Sequence, residues 1–262
     1  MGPPRRATAG AGTALGAIFD MDGLLVDSEP VWHEVEIEVF GEVGVALTVE
    51  RCLETKGMFL GDAVEHWFAR YPWRGPSRQE VTARIVDAMA ARLEAEVELK
   101  PGARHALAFC EQRGARLALA SSSPLRLIDA VLRRVGLVGR FAVLRSAEQE
   151  AAGKPDPAIF VSTARLLGVA PAACVVFEDS PAGVAAAKAA GMTCVVVPEE
   201  GPAPSGSGAA TARAGAMGAD VVLRSLGELT EAVWATCTGA PRSALGSTGG
   251  AIPGPGPGRT AS

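Results

Sequence analysis

Leu15-Gly16-Ala17-Ile18-Phe19-Asp20-Met21-Asp22-Gly23-Leu24-Leu25-Val26-Asp27-Ser28-Glu29 begins as a short apolar run and breaks into two carboxylates, two positions apart. The run Leu15–Phe19 is nearly continuous in apolar residues rather than alternating, as a strand covered on both faces should be. In a strand, residues i and i+2 share a face. Gly23 can turn the chain just as the strand ends, leaving Asp20 and Asp22 at its carboxyl edge, where open α/β sheets bind ligands. An acidic turn capping the next helix would use the same residues, so the Asp-x-Asp-Gly pattern alone leaves both readings open.

Working outward, four more runs of the same kind follow at Leu117–Ala120, Cys174–Phe177, Thr193–Val197 and Asp220–Leu223, with a weaker sixth at Phe141–Leu144. Helical patterns separate them at Pro101–Arg113, Pro124–Val135, Pro157–Leu167 and Pro181–Ala190, several opened by proline in the first turn. Strands alternating with helices predict an α/β fold with a doubly wound parallel sheet. Residues 30–99 break the rhythm. There apolar residues recur at helical spacing, in Val31, Val35, Val39 and in Ala83, Val86, Met89, Leu93, which predicts an all-helical insert after the first strand. The division expected is a flexible N-terminus over 1–14, a core from 15–29 and 100–237, the insert over 30–99, and a disordered Gly/Pro-rich tail over 238–262. Residues 201–218 read as a long surface loop on the same compositional grounds.

Three further patterns sit where strands end. Ser121-Ser122-Ser123 precedes Pro124 and a helix, and hydroxyls with free N–H groups at a helix start make a phosphate seat, although a plain N-cap also accounts for them. Lys154 lies in Gly153-Lys154-Pro155-Asp156-Pro157, a proline-bracketed loop that holds a lysine in place. Glu178-Asp179 closes the run Val175–Phe177 ahead of Ser180-Pro181, and clustered carboxylates suit a hard cation such as Mg²⁺. Each pattern alone is weak. Their shared position, at carboxyl ends of parallel strands, makes a purely structural explanation of all four improbable.

Composition bounds the function. A formal net charge of −4 with no long basic run gives no footprint for nucleic acid. No apolar run reaches the roughly 20 residues needed to cross a bilayer, and Leu15–Phe19 is too short for a signal segment, so a cytoplasmic location is expected. The cysteines at 52, 110, 174, 194 and 237 are scattered, which predicts neither a disulfide framework nor zinc.

The set Asp20-x-Asp22-Gly23, Ser121, Lys154 and Glu178-Asp179 resembles the four motifs of the haloacid dehalogenase-like superfamily, over roughly residues 15–237. The wording is similar to its hexitol phosphatase and 2-deoxyglucose-6-phosphate phosphatase branch in Phe19–Pro30, in Trp73-Arg-Gly-Pro-Ser-Arg-Gln-Glu-Val81 and in Ala120-Ser-Ser-Ser-Pro-Leu125. The resemblance implies a small helical cap over a Rossmann-like core and a Mg²⁺-dependent phosphatase of sugar or polyol phosphates. It implies that Asp20 is the nucleophile and that Asp22 acts first as acid, then as base. Ser121 and Ser122 would hold the phosphoryl oxygens, and Lys154 would neutralise charge. Asp20, Asp179 and the Asp22 main-chain carbonyl would hold the ion, with Glu178 in support. In the loop Thr55-Lys56-Gly57-Met58-Phe59-Leu60, Lys56 or its neighbours are expected to face the site, with Lys56 donating to a sugar hydroxyl while Met58 and Phe59 exclude water. The rivals are a phosphomutase acting on β-glucose 1-phosphate, a phosphatase for pseudouridine 5′-phosphate or phosphoglycolate, and, least favoured, a non-catalytic binding module. The partners expected are a small phosphate ester alone, with the chain a monomer.

Overall fold

The computed structural model describes residues 14–198 and 218–239. The expectations for the N-terminal segment, the loop 201–218 and the tail lie outside these residues, apart from bordering positions. The strands are β1 (Gly16–Phe19), β2 (Arg116–Ser121), β3 (Val143–Ser146), β4 (Cys174–Glu178), β5 (Thr193–Val196) and β6 (Val221–Val222). They form one sheet in the order β3-β2-β1-β4-β5-β6, with every pairing parallel. From β1 the chain winds outward through β2 and β3, then crosses back to β4 and winds the other way. Loops at the carboxyl ends of β1, β2 and β4 therefore part around a crevice at this switch point.

Register decides what meets there. Phe19 lies opposite both Leu119 and Phe177, so Asp20, Ala120 and Glu178 sit level at one edge. The Asp20 N–H still donates to the Phe177 carbonyl at 3.0 Å, which ties the first acid to the sheet. Beneath it the Phe19 and Phe177 rings stack at 4.4 Å, both fully buried.

The core helices are α5 (Ala103–Gln112), α6 (Leu125–Val135), α7 (Ala158–Leu167), α8 (Pro181–Ala189) and α9 (Glu231–Thr238). Pro181 opens α8 while the Ser180 hydroxyl accepts from the Gly183 N–H at 3.1 Å. The third strand begins two residues later than its apolar run suggests. Phe141 packs into the core from the preceding loop, and the pairing with β2 uses Arg145 and Ser146, whose polarity hides the strand.

Between β1 and β2 stand α1 (Glu29–Glu42), α2 (Val49–Cys52), α3 (Leu60–Arg70) and α4 (Arg78–Glu96). The two connections to the core run side by side: Asp27 N–H donates to the Glu98 carbonyl at 3.2 Å and Lys100 N–H to that of Leu25 at 2.9 Å. Val31, Val35 and Val39 are buried along α1 as their spacing predicts. On α4 the buried stripe is Val81, Ile85, Met89 and Leu93. Ala83 is exposed and Val86 only half-buried, a correction to the predicted face. Arg92 joins the two helices through ion pairs to Glu34 and Glu38, both at 2.6 Å. Such exposed pairs are worth about 0–1 kcal/mol, against roughly 1.5–3 kcal/mol for one fully buried Met or Leu. Packing holds the insert together. Trp73 completes it, edge-on to Phe40 and Phe68, with its N–H donating to the Pro76 carbonyl at 3.0 Å, just before the Ser77/Glu80 capping box that starts α4.

Candidate active site

The centre of the crevice is a buried salt bridge. Lys154, from the loop before α7, donates to Asp20 Oδ1 at 2.6 Å and Glu178 Oε1 at 2.5 Å, and to the Ala120 carbonyl at 3.3 Å. Burial opposes its charge, but the Asp20 and Glu178 carboxylates outweigh that and raise its pKa. The loop after β4 wraps the other Glu178 oxygen: Oε2 accepts from the Asp179 N–H at 3.1 Å, the Ser180 N–H at 3.3 Å and the Ser180 hydroxyl at 3.1 Å. Two glycines make room. A Cβ on Gly183 would lie 2.0 Å from the Glu178 carboxyl carbon. At Gly23, which also has a φ of +75°, it would lie 2.3 Å from Asp179 Oδ2.

The electrostatics of this floor are unbalanced. Burial pushes Asp20 up to about 8 against the pull of Lys154, and the charges of Glu178 and Asp22 push the same way. Burial also holds Asp179 well above the usual carboxylate range, with Glu178 and Asp20 adding to the effect and Lys56 opposing it. Asp20, Glu178 and Asp179 offer oxygens within 4.8 Å of one another, all buried. Three such acids with one lysine hydrogen-bonded among them and a second, Lys56, at 4.0 Å from Asp179 are short of positive charge, and hard oxygen donors fit a divalent cation such as Mg²⁺.

Asp22 stands apart from that cluster. Its Oδ1 accepts from the Ser28 hydroxyl at 2.7 Å and the Trp32 N–H at 3.3 Å. Its Oδ2 accepts from the hydroxyls of Ser121 at 3.2 Å and Ser123 at 2.7 Å. Ser28 has the position of an N-cap for α1, yet its hydroxyl makes no cap bond and serves Asp22 instead. Ser121, Ser122 and Ser123 all border the crevice. β2 ends at Ser121, and the Ser123 hydroxyl joins that of Ser121 on Asp22. The Ser122 hydroxyl donates to the Gly57 carbonyl of the insert at 3.3 Å.

Across the crevice the insert supplies a wall. Lys56 faces the site, with Nζ 3.4 Å from Glu29 Oε1 and 4.0 Å from Asp179 Oδ2. Met58 borders the cavity but Phe59 does not: as N-cap of α3 it turns onto the core, where a Cβ on Gly153 would sit 3.2 Å from its own Cβ. Floor and wall border an open crevice, lined by Asp20, Asp22, Lys154 and Asp179 on one side and by Glu29, Trp32, His33, Glu36, Cys52 and Thr55 on the other. Sequence reading missed this second group, though Glu29, His33 and Glu36 fall at i, i+4 and i+7, one face of α1.

A family model described as haloacid dehalogenase-like hydrolase matches residues 15–191, across every motif residue above. The chain belongs to the haloacid dehalogenase-like hydrolases. Within this superfamily it is 44% identical over 185 residues to hexitol phosphatase B of Escherichia coli K12, covering 70% of this chain and 83% of that one. It is 34% identical over 175 residues to a phosphorylated carbohydrates phosphatase of Thermotoga maritima, covering 67% and 81%. Among solved structures, CbbY of Rhodobacter sphaeroides in complex with phosphate aligns with a TM-score of 0.68 at 28% identity, over 83% of this chain and 96% of that one. This haloacid dehalogenase-like hydrolase is thus an enzyme of the phosphatase type. Among its described residues no helix is long and apolar enough to cross a membrane.

Proposed function

We propose that the chain is a Mg²⁺-dependent phosphatase of small sugar or polyol phosphates, hexose and hexitol 6-phosphates above all, working through an aspartyl-phosphate. The observation that carries this reading is Asp20 itself: a carboxylate locked 2.6 Å from Lys154 on the floor of a cavity with a polar far wall. Asp20 attacks phosphorus as the ester P–O bond breaks, and Asp22 gives its proton to the departing alkoxide. Asp22 then takes a proton from the water that cleaves the acyl phosphate, so one group serves both displacements. Lys154 offsets the repulsion between a carboxylate and a phosphate dianion. Ser121 and Ser122 hold the phosphoryl oxygens. Asp20, Asp179 and the Asp22 main-chain carbonyl, supported by Glu178, would hold Mg²⁺, which supplies further neutralisation of the transferring group. The insert acts as the cap, with Lys56 donating to a substrate hydroxyl. The enzyme works as a monomer in the cytoplasm and engages neither nucleic acid nor membrane.

The test is phosphate release from mannitol 6-phosphate and glucose 6-phosphate by the full chain, before and after chelation. Release should vanish in chelator, return with Mg²⁺ and return poorly with Ca²⁺, whose looser coordination does not hold nucleophile and phosphate in line. Full activity in chelator would overturn the metal assignment, and no release from either ester would overturn the substrate class.

A further inference from the structure

The far wall of the cavity contains an ionisable group that the chemistry above does not use. Glu36 is 8% exposed, lies seven residues along α1 from Glu29 and borders the same cavity as Asp20. Among the described residues no N–H or O–H group donates to it, and its neighbour is the Cys52 thiol, at best a weak donor. Neighbouring Thr55 does not relieve it, because the Thr55 hydroxyl donates to the Cys52 carbonyl at 3.2 Å. A buried carboxyl beside a thiol and bordering a cavity is a site for hydroxyl groups.

We propose that Glu36 is the specificity-determining residue of this enzyme, engaging the distal hydroxyls of a five- or six-carbon polyol phosphate and, with Glu29, rejecting leaving groups that bear a second anion. The proposal rests on the phosphatase reading and adds to it the length and charge of the leaving group.

Length follows from the helix. Seven residues of α-helix advance about 10 Å along the axis. Glu29 marks the end of the wall beside the acid cluster, since Lys56 touches both it and Asp179. Glu36 therefore lies about two turns deeper. A two- or three-carbon leaving group anchored by its phosphate stops short of it, and a hexitol chain reaches it.

Charge follows from the lining. Among the described residues the insert brings Glu29 and Glu36 to this cavity with one lysine, Lys56, which sits between Glu29 and Asp179. His33 stands 3.7 Å from Glu29, on the same helical face. A carboxylate or second phosphate on the leaving group would be desolvated against two acids with no cation of its own. A neutral hydroxyl suits Glu36 in either protonation state, since it both donates and accepts. This matters because burial pushes the Glu36 carboxyl up to about 7. Trp32, Met58, Leu60 and Ala63 supply apolar surface for the C–H faces of such a chain.

The experiment compares kcat/KM of the full chain with Mg²⁺ on mannitol 6-phosphate, glycerol 3-phosphate, phosphoglycolate and phenyl phosphate. In the wild type, mannitol 6-phosphate should exceed both glycerol 3-phosphate and phosphoglycolate by about 100-fold or more, the scale set by leaving polar groups unpaired in a site built for hydroxyls. Glu36→Gln should lower the mannitol 6-phosphate to phenyl phosphate ratio about tenfold or more, chiefly through KM, because the contact is remote from the reacting bond. A ratio that does not move, or a wild type that cleaves phosphoglycolate as well as mannitol 6-phosphate, would overturn the proposal. If Glu36→Gln does not fold, the wild-type panel decides alone. Phenyl phosphate separates the two readings: its turnover with no chain-length preference sinks this proposal only, whereas no turnover of any ester sinks the phosphatase reading as well.

Discussion

The floor of the cavity and its far wall are built on different principles. On the floor each charged group is held by several others: Lys154 spans two carboxylates, Glu178 accepts from four donors including that lysine, and Asp22 accepts from four more. Parallel strands set the spacing of these groups, and two glycines give up side chains to admit them. On the wall, side chains from α1 and from the segment between α2 and α3 stand over the cavity, with Glu36 buried beside Cys52. A geometry held from several directions suits bond-making steps that tolerate little displacement. Positions of the wall that do not touch the floor, such as Glu36, can change while the phosphoryl-transfer centre stays the same, which lets one centre serve different leaving groups.

The largest expected effect tests the floor. Asp20→Asn should lower phosphate release at least about 1000-fold, a transition-state loss of roughly 4 kcal/mol. Its melting temperature should not fall, because the change removes a carboxylate whose ionisation burial already disfavours. Near-normal turnover would end the covalent mechanism.

Next in size is Gly183→Ala. The new Cβ would enter the fully buried Glu178 carboxyl, so the protein should lose about 3 kcal/mol or more in urea-unfolding stability. A loss under about 1 kcal/mol would show that the loop after β4 can move aside, and the contrast between a fixed floor and a variable wall would fail.

A comparable but pH-dependent effect sharpens the reading of the wall. Glu36 is raised from 4.5 to about 7, so the folded state binds its proton more tightly than the unfolded chain does. Its contribution is fully present below about pH 4.5 and is lost as pH rises through about 7. The stability of Glu36→Gln minus that of the wild type should therefore climb by about 3 kcal/mol between pH 4.5 and pH 8. A flat difference would mean that Glu36 is solvated or paired in solution.

The smallest effect concerns Lys56. Lys56→Ala should cost about tenfold in kcat/KM on the best sugar phosphate, the scale of one charge-assisted hydrogen bond, and proportionally less on phenyl phosphate, which lacks hydroxyls. Equal losses on both would assign Lys56 to closure of the insert over the floor rather than to reading the substrate.

The floor was legible in the chain because its signals are local: an apolar run breaking into Asp20 and Asp22, another into Glu178 and Asp179, each followed by a turn residue or a helix start. Parallel pairing needs only that such runs be buried on both faces, and that requirement is written in their composition. The helical character of the insert was legible for the same reason, since Val31, Val35 and Val39 repeat at helical spacing. What the letters left undecided were matters of direction and partnership. Ser122 and Ser123 are the same residue type, and only the folded chain sends one to Gly57 and the other to Asp22. The α4 stripe shifted from Ala83 and Val86 to Val81 and Ile85 because α4 packs against α1, α3 and α6, and that packing decides which of its faces is buried. Glu36 could not be singled out from a helix carrying glutamates at 34, 36, 38 and 42. Three of those meet solvent or Arg92 and Arg84 at the surface, and one is buried beside Cys52. Burial of a charge depends on what packs over it from elsewhere in the chain, and that is decided when the insert folds onto the sheet.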